Sequence, residues 1–371
     1  MIEDVLKKAR EEDDELVGEV GVELRHPRLN PEKYYLNVAC DPYFKFLSIL
    51  RHYIYAVSNA YFSDVVKARH MDLFLMTSSV SSPSGPGSDS EPISLTFGGH
   101  NTYLTDSSQF GFEPVLIGGI PRAYCYLASM RGEDPDKRHL NQFYHCEYEA
   151  QGNFVEAQKV AEGYVRALTS LICVMPNLMS IISSNKLVTI EVARAVATEE
   201  KFRQITFTEA EQLLKEYGYS EDIRENEHGK DITNQGEMHL MQIIGSNTPI
   251  WLTELYRDRV PFYQKPLSSN IDLALTADLI TPQIIEGGFG GEMLGMGERQ
   301  DSAEEMHESL RRQGVDPAPY QWYIDIRRLP QYKTTAGFGL GIERFISWIL
   351  GFDSIYKAIL YPRMKGDKMN P

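Results

Sequence analysis

The sequence predicts an α+β domain on a mainly antiparallel sheet, and three observations carry that expectation. Strand-like runs lie far apart in the chain with helices gathered between them, unlike the regular strand–helix alternation of a parallel sheet. In residues 131–149, Arg131 and Glu133 are placed to share one strand face, a polar turn follows, and Phe143, His145, Glu147 and Glu149 then alternate with Tyr144, Cys146 and Tyr148. Two antiparallel strands there would present cations, an aromatic ring and carboxylates on one surface. Residues 337–350 run from a glycine-rich strand into a helix closed by Gly351.

The bulk properties narrow the class. A chain of 371 residues can bury a large core in one to three domains. Its net charge of −15 argues against a broad nucleic-acid surface, though not against a local basic site. Cys40, Cys125, Cys146 and Cys173 are far apart, without zinc-like spacing, and read as free thiols in a reducing compartment. The acidic start does not resemble a signal peptide, so a cytoplasmic location is expected. The most apolar stretch, 164–182, contains Arg166, Pro176 and Asn177, and reads as a pair of core helices rather than a membrane span.

In chain order, residues 2–15 read as a charged helix and 16–24 as a strand. The expected organisation is an N-terminal extension over 1–40 and one domain over 41–371, because so short a leader is too small for an accessory domain. Apolar residues at helical spacing predict a long core helix over 43–68, followed by a strand at 72–76. The Ser/Gly/Pro-rich stretch 77–91 is a loop, either a passive linker or a lid. A strand is expected at 103–109, with Gln109 and Glu113 bracketing its end. Helices follow at 154–174 and 187–196, and Thr208 with Glu211 predicts a capping box for a helix at 209–217. Residues 219–231 are charged and expected to be exposed. Strands are predicted at 249–255, 261–264, 271–279 and 322–327, with a solvated helix at 303–313.

Chemistry gathers in three places. The first is the hairpin at 131–149, for which a salt-bridged sheet face is the alternative reading. The second is Asp278 with Glu292, two carboxylates at strand ends that could hold magnesium together with phosphate oxygens. The third is GFGLGIERF at 337–345, whose glycines could let a strand approach a flat ligand while Arg344, on the next helix, points into the same cavity. Its spacing fits neither the dinucleotide fingerprint nor the P-loop.

These residues carry a resemblance. The pattern R-x-E, loop, R-H-L-x-x-F, E-x-E resembles motif 2 of class II aminoacyl-tRNA synthetases, and GFGLGIER resembles motif 3. SSQFGFE (107–113), TFTEAEQLLKEYG (206–218), DRVPFY (258–263), GEMLGMGER (291–299) and QWYIDIRR (321–328) are similar, in the same order, to stretches of asparaginyl-tRNA synthetases. The resemblance spans roughly 40–363 and implies the class II antiparallel sheet flanked by helices, ATP and Mg2+ as reactant and cofactor, and a homodimer. It implies that Arg131 contacts the α-phosphate, Glu133 lies beside the adenylate, and Arg138 and His139 meet the terminal phosphates. Phe143 would stack on adenine, and Arg344 would hold the leaving pyrophosphate. Asp278 and Glu292 match the magnesium carboxylates, with Glu286 a rival because 13 residues separate that pair. Gln109 and Arg299 match positions that bind aspartate or asparagine, and Glu113 falls where a carboxylate would favour an amide side chain over an acid.

Departures from the family pattern shape the functional expectation. The leader is too short for an anticodon-binding barrel, and motif 1 is poorly matched, with Ser78 where a proline is usual. The motif 2 turn is short and contains Asp134 and Asp136, which would repel tRNA phosphate. The leading expectation is therefore a tRNA-independent, AMP-forming ligase that adenylates an aspartate- or asparagine-like acid and passes the acyl group to ammonia or a small amine. Archaeal asparagine synthetases of this type are similar in layout. The alternatives are a truncated asparaginyl-tRNA synthetase paralogue charging a tRNA or carrier, and a non-catalytic paralogue that binds amino acid and nucleotide.

Overall fold

The structure is a computed structural model that describes residues 1–22, 24, 30–82, 90–368 and 370. Its main sheet has eight strands, ordered 69–70, 122–130, 142–151, 335–341, 291–298, 276–281, 250–253 and 203–206. The five inner pairings are antiparallel, and the pairings of the two outermost strands are parallel. The expected antiparallel sheet flanked by helices is what the chain forms.

Side-chain alternation separates the two faces of this sheet. Cys146, Tyr148 and Ala150 join Ala336, Phe338 and Leu340 of the neighbouring strand in the main core. His145, Glu147 and Glu149 take the other face. Helix Pro42–Ala60, opened by Asp41 accepting the Tyr43 N–H and by Pro42 at its first position, buries Phe46, Leu47, Leu50, Ile54 and Val57 in that core. Helix Phe154–Cys173, held by an Asn153–Glu156 capping box, brings Tyr164 to 4.8 Å from Phe62. This helix and Pro176–Ile182 meet at 85° as the expected core pair, and among the described residues no single helix is long and apolar enough to cross a membrane. The leader belongs to the same core: Ala9, Leu16 and Tyr34 are buried in it, and Asp13 accepts the Asn177 and Leu178 N–H groups that open the Pro176–Ile182 helix.

Several elements differ from expectation, each for a visible reason. Residues 16–19 form a 3-10 turn continuing the Ile2–Glu15 helix, and part of the expected 16–24 strand lies outside the described residues. No strand covers 72–75; only Met76–Thr77 pairs, with Tyr103 and Leu104. Residues 321–325 are helical rather than extended: Tyr323 and Ile324 are both buried, and Arg327 folds back to donate to the Tyr323 carbonyl at 2.9 Å. The capping box is Thr206–Glu209, two positions earlier than expected, because the 203–206 strand runs directly into its helix. Residues 219–231 contribute a hairpin, Ile223–Asn226 with Gly229–Ile232. Of the 77–91 loop, Ser81 and Ser82 are tied to Asp106, while 83–89, where a lid was expected, lie outside the described residues.

The fold sorts the thiols. Cys40 is exposed, whereas Cys125 and Cys146 are buried, and burial pushes the Cys146 pKa up to about 12. Because the thiolate is the reactive form, brief native alkylation at pH 8 followed by peptide mass spectrometry is expected to label Cys40 and spare Cys125 and Cys146 until denaturant is added.

Candidate active site

Three connecting cavities of about 560, 1170 and 820 Å³ open on the face of the sheet away from the core helices, and Arg131 and Glu292 line all three. Arg131 and Glu133 do not share a strand face, because the strand ends at Met130 and both follow it. Asn141 fixes them instead: its side-chain amide donates to the Arg131 and Glu133 carbonyls at 2.7 and 2.8 Å, and Arg131 N–H donates back at 3.1 Å. The Arg131 guanidinium lies 5.3 Å over Phe143, and among the described residues its buried Nε–H has no acceptor. In the turn, Asp136 accepts from the Arg138 and His139 N–H groups and from His139 Nδ1 at 2.7–2.9 Å. Asp134 reaches Lys365 at 3.2 Å. The acidity that made this turn look hostile to phosphate is largely engaged within the protein.

The cations ring the first two cavities. Arg138 lies 4.6 Å over Phe289 and donates to the Gly290 carbonyl; burial and the neighbouring Arg344 pull its pKa to about 10. Arg344 pairs with Glu292 at 2.9 Å, and its other amine lies 3.4 Å from His139 Nε2. Burial and then Arg344 hold the His139 pKa below its usual value. Burial alone would raise Glu292, but Arg344, Arg138 and Arg131 draw it down to about 2. Asp278 behaves oppositely: burial and Glu292 push its pKa well up, and among the described residues its carboxylate has no hydrogen bond or ion pair.

That unpaired carboxylate beside Glu292 fits a divalent cation. Both point over Gly295, where an added Cβ would lie 3.3 Å from Asp278 Oδ1 and 3.7 Å from Glu292 Oε1. Among the described residues no three His, Cys, Asp or Glu side chains group as a complete metal cage. The donor set matches magnesium, which takes one or two carboxylates and completes its shell with water and phosphate oxygens. Glu286 is exposed in a turn and lines none of these cavities, so Glu292 is the better placed of the two rivals. Glu237 went unforeseen. From helix Asn234–Ile244 its Oε2 accepts the Glu292 N–H at 3.1 Å and faces Arg138, and burial raises its pKa to about 7.

The third cavity is lined by Gln109, Glu147, Gln264 and Arg299. Gln109 opens helix Gln109–Ile117, so Gln109 and Glu113 lie one helical turn apart instead of bracketing a strand; Gly111 and Pro114 masked that helix in the sequence. Arg299 binds Glu149 through two hydrogen bonds at 2.8 and 3.0 Å, and donates to Gln264 and Gln109 at 3.0 and 2.7 Å. Burial works against this cation, but Glu149 holds its pKa above the ordinary value. The expectation for Glu113 needs correcting. It is fully buried, lines none of these cavities, and is bound by Arg327 at 2.5 Å and by Thr335 at 3.2 Å. The carboxylate that lines the cavity beside Gln109 and Arg299, apart from Asp278 and Glu292, is Glu147, which accepts from Ser108 N–H at 2.9 Å and sits 3.1 Å from His145 Nδ1. The period-two alternation of 143–149 already put His145 and Glu147 on the cleft face; only the assembled sheet puts them beside Gln109 and Arg299.

Comparison with known proteins is decisive at this point. The family model described as tRNA synthetases class II (D, K and N) matches residues 84–365. The chain belongs to that family. A probable cytoplasmic asparagine–tRNA ligase of Encephalitozoon cuniculi is 33% identical over 273 residues, covering 72% of this chain and 57% of the relative. A cytoplasmic asparagine–tRNA ligase of Mus musculus is 32% identical over 278 residues, covering 72% and 46%. The chain thus spans about half the length of these curated relatives. The crystal structure of asparaginyl-tRNA synthetase from Pyrococcus horikoshii complexed with asparaginyl-adenylate superposes with a TM-score of 0.79 over 91% of this chain and 73% of that one, at 22% identity, so it shares the class II synthetase fold. These relatives are named as tRNA ligases. They give no support to a tRNA-independent acceptor or to the expectation that tRNA is an improbable partner.

The buried pair in this synthetase domain gives a stability test. Removing Arg327 leaves Glu113 charged and unpaired in the interior, so Arg327→Ala is expected to cost about 3–5 kcal/mol in urea unfolding, and Arg327→Ala with Glu113→Gln to recover part of that loss.

Proposed function

We propose that this chain activates asparagine with ATP, forming asparaginyl-adenylate and pyrophosphate, and passes the acyl group to a tRNA or carrier. The observation that carries the reading is the convergence of Arg131, Arg138, His139 and Arg344 around one cleft that continues into the Gln109–Arg299 cavity. Activation is attack of a carboxylate on the α-phosphorus, so negative charge grows there and on the departing pyrophosphate. Cations fixed in advance stabilise that charge without reorganising. The Arg131 Nε–H, buried and without a protein partner, is a donor suited to an α-phosphate oxygen. Phe143 offers its ring to the base, and Gly339 leaves room beneath it. Arg344 and Arg138 take the pyrophosphate end. When bound, magnesium held by Asp278 and Glu292 would supply further positive charge to the phosphate side of the cleft. No side chain has to act as the nucleophile, and positioning provides the rest.

An amide is favoured over an acid at the side-chain end for a charge reason. Arg299 has five N–H donors, four of them already engaged, and its charge is balanced by Glu149. The Gln109 Nε2 group is buried without an acceptor. These spare donors suit a carbonyl oxygen, and Glu147 suits the neighbouring NH2. A carboxylate side chain would meet the Glu147 carboxylate beside an Arg299 already balanced by Glu149. The preference expected of Glu113 thus passes to Glu147.

Asparagine-dependent ATP–pyrophosphate exchange is the direct test. Arg131→Ala and Arg344→Ala are each expected to lower its rate by about 10²–10³-fold; absence of exchange with every amino acid offered would remove the activation reading. Glu147→Gln is expected to narrow the preference for asparagine over aspartate by about tenfold, measured as the ratio of kcat/KM values.

A further inference from the structure

His145 is the one side chain at the centre of the cleft to which no role has yet been given. Among the described residues Arg131, His145, Glu292 and Gly339 line both the first cavity, where Arg138 and Arg344 lie, and the amino-acid cavity, so His145 stands where these two cavities meet. The imidazole is held from one side. Its Nδ1 lies 3.1 Å from Glu147 Oε1 and 3.0 Å from Ser129 Oγ, and the ring stands edge-on to Phe143 at 4.7 Å. The hydrogen-bond partner of Nδ1 is Ser129 Oγ, and a carboxylate oxygen 3.1 Å from the same nitrogen favours the tautomer that carries the proton there. Glu147 is itself fixed by the Ser108 N–H, and among the described residues Nε2 has no partner. The unprotonated nitrogen is thereby left on the cleft side of a ring oriented by a buried acid, the geometry of a general base.

Resting on the adenylation reading above, we propose that His145 is a catalytic residue of the second half-reaction, taking the proton from the nucleophile that attacks the adenylate. The acceptor's O–H or N–H proton passes to Nε2, its oxygen or nitrogen bonds to the acyl carbon, and the bond from that carbon to the phosphate oxygen breaks. AMP leaves as the anion. The other groups at the junction are poorly suited to this step. Arg131 cannot take a proton, Gly339 has no side chain, and Glu292 is paired with Arg344. Asp278 faces the cation position and Glu147 is occupied with His145 and Ser108. The shared chemistry is a nucleophile that must lose a proton, whether a ribose hydroxyl at a tRNA end or ammonium.

The two half-reactions separate this proposal from the reading beneath it. Exchange is measured for wild type, His145→Asn and His145→Ala, followed by single-turnover discharge of enzyme-bound adenylate to unfractionated tRNA, to ammonium chloride, and to hydroxylamine, which attacks without needing a base. Exchange and hydroxylamine capture are expected to fall less than tenfold, while discharge to whichever of tRNA or ammonia the wild type uses falls about 10²-fold or more. Added imidazole is expected to restore part of the discharge in His145→Ala. Equal losses in exchange and discharge would show that His145 only shapes the activation site. Unimpaired discharge would give the proton to a phosphate oxygen of the adenylate, and wild-type discharge to neither acceptor would leave the step without a substrate. Each of these three results overturns the proposal. Absence of wild-type exchange would instead overturn the activation reading.

Discussion

The site depends on carboxylates lying flat across a sheet that glycine has cleared for them. Glu149, on the 142–151 strand, reaches over Gly337 of the neighbouring strand to grip Arg299 at the far edge of the next. A side chain at Gly337 would overlap that carboxylate. Gly295 leaves a looser gap, in which an added Cβ would lie 3.3 Å from Asp278 and 3.7 Å from Glu292. Strand side chains normally rise from the pleat; here the absent ones let long acidic groups run sideways and join three strands. The result is a dense, mutually constrained charge network on one face of the sheet, with an ordinary apolar core on the other.

Charge balance within that network assigns the parts. Where an acid and a base are matched, as in Glu149–Arg299 and Glu113–Arg327, the pair is buried and serves as framework. Where they are unmatched, the group faces the cleft: Asp278 lacks a partner, and Arg131 keeps an unsatisfied donor. Buried ion pairs add little net stability but strongly penalise the loss of one member, so the matched pairs hold geometry and the unmatched groups remain for ligands. Glu237 belongs between these classes. It accepts the N–H of Glu292 at the start of its strand and sits close to Arg138, from the Asn234–Ile244 helix.

Much of this was legible because periodicity and motif order are local. The alternation over 143–149, the glycine-rich strand running into the Arg344 helix, and the apolar helical spacing over 43–68 all depend on neighbours a few residues apart. The misreadings share one cause as well. QWYIDIRR alternates like a strand, yet Tyr323 and Ile324 both turn inward against Phe110 and Phe262, a packing no short window contains. SSQFGFEP has a glycine and a proline that disguise a helix whose stability comes from Phe110 buried in one apolar cluster and Phe112 and Leu116 in another.

The sequence by itself determined the fold class, the family and the identity of the cations that line the cleft, because each is written in short motifs and their order along the chain. Only the tertiary structure decided which carboxylates are free to act. Glu113 and Glu147 look alike in a sequence; one lies within reach of Arg327, more than two hundred residues away, and the other opens onto the cleft beside His145. An acid's role depends on which distant cation neutralises it, and that pairing exists only once the strands are assembled.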